Sequence, residues 1–238
     1  MSSSKRIITA AAILAGLLFS TAVGEKTPRP KKLSPDEILN ARTADCFTHV
    51  PGEDVEECLR VRKVTVPGLL NDALGWRQIR VGFVPADFSR PQAHLDVNPS
   101  SLFVRDVLNS IVAADRRYKW SVEDGVVVLQ PAAGRPPLLD VRLAEFREKG
   151  TSAELFGALE LMPEVSRRAT ELGFSGGKWA AGGFGLGFFT GIREITCRNC
   201  TVLEVLNEIA RQSGSSWMYR EISYDGEKYF HFSYLSSD

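Results

Sequence analysis

Two stretches of this chain carry one pattern, Arg105-Asp106-Val107-Leu108-Asn109-Ser110-Ile111 and Leu203-Glu204-Val205-Leu206-Asn207-Glu208-Ile209, each followed by a tryptophan, Trp120 or Trp217. Self-similarity that runs from a helix into a strand points to one supersecondary unit used twice. In the first copy Val104, Val107, Leu108, Ile111 and Val112 recur at the spacing of one buried helical stripe, and Val202, Val205, Leu206, Ile209 and Ala210 repeat it in the second. After each helix comes an apolar run, an Asp-Gly pair (Asp124-Gly125, Asp225-Gly226) and a second apolar run. Asp-Gly between such runs is a hairpin signal, because both central positions tolerate positive φ. The expectation is an α+β protein of two small modules, each packing a helix on a short β-sheet in a βαβ-type repeat, joined by a helical insertion.

Segment boundaries follow from local chemistry. Lys5 and Arg6 precede the apolar stretch from Ile7 to Phe19, and Ala22-Val23-Gly24 offers small residues for cleavage, so residues 1–24 read as a secretory signal. A retained anchor in the inner membrane is the alternative. Residues 25–35 form a Pro- and Lys-rich linker, and 36–60 hold a short helix capped by Ser34 with Pro35 at its first position, then a loop with Cys46 and Cys58. The first module spans 61–145: a helix around Leu69, Leu70, Ala73 and Leu74, strands at Ile79 to Val84 and Ala93 to Val97, and the first repeat copy. Leu139, Val141 and Leu143 alternate with polar residues as in a half-buried strand. Residues 146–193 read as the insertion. A capping box at Thr151 and Glu154 opens one helix, Pro163 breaks it, and a second helix runs to Gly173. The second module covers 194–238, with a capping box at Thr201 and Glu204. In the first copy Phe103 stands where that threonine would be, so Ser100 or Ser101 is expected to cap.

A short strand, a helix of the form x-Val-Leu-Asn-x-Ile, an aromatic strand and a Gly-turned hairpin, over Gln92 to Gln130 and Glu194 to Tyr234, resemble the short N-terminal periplasmic domain of secretins and TonB-dependent receptors. The resemblance implies a small module that contacts partner proteins in the periplasm and carries no catalytic residues. Two departures from the family are expected: these 238 residues read as holding neither an outer-membrane barrel nor a secretin domain, and the insertion between the copies has no counterpart in it.

Composition narrows the function classes. The whole chain has 29 basic and 29 acidic residues, and removal of the signal would leave 27 against 29, too little positive charge for general nucleic-acid binding. The four cysteines, Cys46, Cys58, Cys197 and Cys200, read first as disulfides in an exported chain, with three connectivities open. Proximity favours Cys46 with Cys58 and Cys197 with Cys200. Cys197-Arg198-Asn199-Cys200, before a helix start, also admits a thiol-disulfide oxidoreductase, since a helix N-terminus lowers a thiol pKa. His49, His94 and His231 are dispersed, and neither a metal site nor a cofactor is expected. From Gly173 to Gly191 glycines alternate with aromatics, and Trp179, Phe184, Phe188 and Phe189 are the candidates for docking a partner. Lys178 is followed by Trp179, so a phosphate loop does not fit. The functional expectation is a non-catalytic interaction or adaptor module of the cell envelope, exported to the periplasm or secreted, with an envelope protein as partner and no membrane span once the signal is cleaved. The Trp120 and Trp217 rings are expected to cover their helices as core.

Overall fold

A computed structural model describes residues 32–43, 61–74, 79–88, 94–97, 103–175 and 191–235. The signal, most of the linker, Cys46, Cys58, Ser100, Ser101 and the docking candidates Trp179, Phe184, Phe188 and Phe189 lie outside the described residues. The chain is mixed α+β. In order it forms α1 (Pro35–Leu39), β1 (Val61–Thr65), α2 (Val66–Leu74), β2 (Val81–Phe83), β3 (His94–Val97), α3 (Val104–Ala114), β4 (Tyr118–Glu123) and β5 (Val126–Pro131). Then follow β6 (Arg142–Gly150), α4 (Ser152–Glu160), α5 (Pro163–Glu171), β7 (Arg193–Thr201), α6 (Val202–Ser213), β8 (Trp217–Tyr224) and β9 (Glu227–Tyr234). None of the described helices is long and apolar enough to cross a membrane.

The two repeat-bearing hairpins do not build separate sheets. They join one five-stranded sheet in the order β4-β5-β2-β8-β9, with short β2 at the centre and parallel to both β5 and β8. Because side chains alternate across a strand, β5 serves two cores. Val127 and Leu129 point into one with Val81 and Phe83 of β2, Leu69 and Leu70 of α2, and Val107 and Leu108 of α3. Val126 and Val128 point into the other with Leu206 and Ile209 of α6, and Leu155 and Phe156 of α4. Helices therefore cover both faces, which is why Val126 to Gln130 are all buried. The helices also touch a two-stranded antiparallel ribbon on each side, β1 with β3 against α2 and α3, and β6 with β7 against α4 and α6.

Both Asp-Gly pairs turn as their chemistry requires, with φ of 55° and 81° at Asp124 and Gly125, and 52° and 79° at Asp225 and Gly226. The helix starts differ from each other. Thr201 caps α6 through its hydroxyl while Glu204 returns to the Thr201 N–H, and Thr151 with Glu154 does the same for α4. The cap of α3 is Phe103, which has no side-chain hydrogen bond to give. The Val104 N–H instead donates to the Ala41 carbonyl at 3.0 Å, so the short segment after α1 closes this helix end. The strand expected over Leu139, Val141 and Leu143 is displaced: Leu139 lies in a turn, its N–H bonded to the Pro136 carbonyl, and β6 begins only at Arg142 and runs on to Gly150. Its buried residues, Leu143, Phe146 and Gly150, recur every three or four positions, a helix-like spacing, and pairing with β7 overrides it.

Candidate functional site

The letters shared by the two stretches find their use at the helix-to-strand junctions. Trp217 opens β8, and its Nε1–H donates to Asn207 Oδ1 of α6 at 3.0 Å. Trp120 of β4 donates in the same way to Asn109 Oδ1 of α3 at 3.2 Å. The asparagine of the pattern is thus the partner of the tryptophan that follows it, a link that a periodicity count does not register. The two environments differ: Trp217 and Asn207 are 0 % exposed, whereas Trp120 is half-buried and Asn109 exposed. Asn207 also donates through Nδ2 to the Glu123 carbonyl at the turn of the other hairpin, at 3.2 Å.

What covers Trp217 is β2. Gly82 lies beside Trp217 in the parallel register, and a Cβ placed on Gly82 would fall 2.1 Å from Cζ2 of the indole. The main-chain groups of Trp217 face β2. The Leu235 N–H bonds the Ser216 carbonyl, so in the β8-β9 ladder residues 217, 219, 221 and 223 point their N–H and C=O outward from the hairpin. The same reasoning applies to β4. The Ala132 N–H bonds the Arg117 carbonyl, which leaves the main-chain groups of Trp120 and Val122 directed away from β5. Among the described residues no strand pairs with that edge. The opposite end of the sheet is different, since on β9 the Phe232 N–H is taken by Glu160 Oε1 at 2.7 Å and the Lys228 carbonyl accepts from the Ser175 N–H.

The chemistry-bearing side chains are largely engaged with one another. An open cleft of about 550 Å³ is bordered by Arg135, Arg142, Arg167, Arg168, Asp140, Glu164 and Glu171. Within it Arg135 holds Glu123 through two contacts, Arg168 pairs with Glu171, and Arg142 donates to the Asn199 carbonyl. At the end of α3 the Arg117 side chain and N–H bind Asp115, and that hydrogen bonding holds the Asp115 carboxyl below the usual range. Burial, reinforced by Glu221, pushes the Tyr219 hydroxyl well above its ordinary value, so Tyr219 stays protonated and donates to Glu221. His231 Nδ1 lies 2.7 Å from Glu160 Oε1, while His94 is on exposed β3. No three metal-ligating side chains come together among the described residues.

Cys197 and Cys200 form a disulfide inside β7, around Asn199 in a left-handed conformation with φ of 51°. Cys200 is 4 % exposed and packs in the core with α6, and Cys197 is half-buried. A bridge between residues three apart closes a very short loop. Replacing both cysteines by alanine is expected to lower unfolding free energy by about 2 kcal/mol and to leave the far-ultraviolet circular dichroism intact. Urea titration of the two proteins measures the difference.

The chain matches no family model, no curated protein and no solved structure.

Proposed function

We propose that this is a non-catalytic protein–protein interaction or adaptor protein of the cell envelope, working in the periplasm through a sheet edge. The observation that carries the proposal is the outer edge of β4, where the main-chain groups of Trp120 and Val122 face away from the hairpin and have no strand partner among the described residues. An edge of this kind binds an extended segment by adding it as a strand, with main-chain hydrogen bonds supplying affinity. The disposition of the cysteines supports the non-catalytic reading over a thiol-disulfide enzyme, since Cys200 sits in the core beneath α6.

We also read the chain as a duplicated module in keeping with the resemblance to the periplasmic N-terminal domain of secretins and TonB-dependent receptors. Three features support that reading. Strand, helix and hairpin follow in the same order in β3-α3-β4-β5 and β7-α6-β8-β9. Each copy has its own antiparallel ribbon, and each carries the same asparagine-to-tryptophan hydrogen bond.

A proline at Val122 tests the edge. Its N–H points away from β5, so Val122→Pro removes no ladder hydrogen bond and blocks an incoming strand. The mature protein, used as bait on a detergent extract of envelopes, is expected to retain a protein that the Val122→Pro form loses while its circular dichroism is unchanged. Equal retention by both forms would reject the edge as the site of interaction.

A further inference from the structure

The chain holds, in its own centre, an example of what fits a tryptophan-bearing edge. β2 lies along β8 in parallel, with Gly82 beside Trp217, and the six-membered ring of the indole occupies the space where a Cβ would stand. Val81 and Phe83 flank that glycine and point to the opposite face, into the core of α2 and α3. The ring therefore reaches across the neighbouring strand, and only glycine leaves room beneath it.

Trp120 is placed on β4 as Trp217 is on β8. Both have their main-chain groups directed out of the hairpin, and both rings are held by an asparagine of the preceding helix. The difference lies in the neighbour. β8 has β2 beside it and Trp217 is wholly buried, whereas β4 is the last strand of the sheet among the described residues and Trp120 is half-buried. At the far end of the sheet Glu160 and Ser175 already engage the outward groups of β9. Beside β4 the described chain comes close at the hairpin turn, where Lys32 pairs with Asp124 and residues 32–35 border a cleft with Val122, and no described strand lies along Trp120.

We propose that the β4 edge takes an extended segment of a protein partner in parallel orientation, and that Trp120 selects a segment with glycine facing the indole and apolar residues on either side. This rests on the sheet-edge reading above and adds to it a direction and a sequence preference. The segment of this chain that already satisfies the rule is β2 itself, apolar–glycine–apolar at Val81, Gly82 and Phe83.

The probe is a labelled peptide with the sequence of residues 79–85, Ile79 to Pro85, added to the full mature protein and followed by fluorescence anisotropy. The expected result is saturable binding, with a Kd about tenfold weaker for the peptide carrying Gly82→Val. Val122→Pro in the protein is expected to weaken binding by a similar factor. Trp120→Ala, a second variant with the edge hydrogen bonds intact, should keep measurable binding and lose the preference for glycine. Equal binding of the glycine and valine peptides, or absence of saturable binding, would overturn the proposal. A mature protein that sediments as an oligomer and becomes monomeric on Val122→Pro would overturn it too, because the occupant would then be a second copy of this chain. If the peptides show no preference while envelope capture still depends on Val122, the interaction reading stands and the glycine rule alone fails.

Discussion

Gly82→Ala is expected to destabilise the protein by about 3 kcal/mol or more, combining the cost of overpacking a filled core with loss of a buried hydrogen bond. The added methyl would lie 2.1 Å from Cζ2 and 2.3 Å from Cε2 of Trp217, far inside van der Waals contact. A flexible side chain could swing away, but this one cannot do so cheaply. Trp217 is fully buried, and its Nε1–H is fixed to Asn207 of α6, so moving the ring breaks that bond or shifts the helix. Moving β2 is no easier, because it is paired on both edges and packed on both faces. Gly157→Ala serves as the contrast: it lies within α4 with nothing within 4 Å of the new methyl, and is expected to stabilise by about 0.5 to 1 kcal/mol. Urea denaturation followed by far-ultraviolet circular dichroism gives both values. Trp217→Phe in the Gly82→Ala background should recover part of the loss, since a smaller ring makes room, and a strictly additive pair would show that contact between the two residues is not the cause.

The sequence places Gly82 inside the apolar strand Ile79 to Val84 and assigns it no role of its own. Its contact with Trp217 was not legible there, because the two residues are brought together by a parallel pairing of distant segments that leaves no local trace. Local features were legible in proportion to how local their physics is. The stripes of α3 and α6, the capping boxes at Thr151 and Thr201 and both Asp-Gly turns are set by residues within one or two helical turns. The end of α3 at Phe103 was not legible in this way, since its donor is satisfied by Ala41 from a remote segment. Nor was the continuation of β6 past Leu143, where the buried positions mimic a helix and only the register with β7 decides. The shared sheet has the same origin: each hairpin is predictable, but the insertion of β2 between them is a tertiary choice. The candidate edge was legible only as a general expectation, and singling out β4 required knowing which outward groups Glu160 and Ser175 already hold.

The two asparagines of the repeat, identical in sequence, should respond very differently to the same substitution. Asn207→Leu is expected to cost about 2 to 4 kcal/mol. The volume is nearly kept, but the Nε1–H of Trp217 is left without an acceptor where water does not reach, and the Glu123 carbonyl loses a donor. Asn109→Leu removes the matching bond to Trp120 and should cost well under about 1 kcal/mol, because Asn109 is exposed and the half-buried Trp120 can turn to solvent. Thermal and urea unfolding of the two single variants measure the difference, and equal losses would refute the assignment of burial as its cause. Trp217→Phe offers a further check, since removing the indole N–H together with its acceptor takes away the orphaned donor. The double variant Asn207→Leu/Trp217→Phe is therefore expected to be more stable than the sum of its single changes predicts. Asn207 reaches from α6 to the turn between β4 and β5, so its loss also loosens the contact of the helix with the opposite hairpin. The same residue type is a buried joint at Asn207 and a surface bond at Asn109, and the size of that asymmetry measures how firmly α6 holds the β4-β5 hairpin.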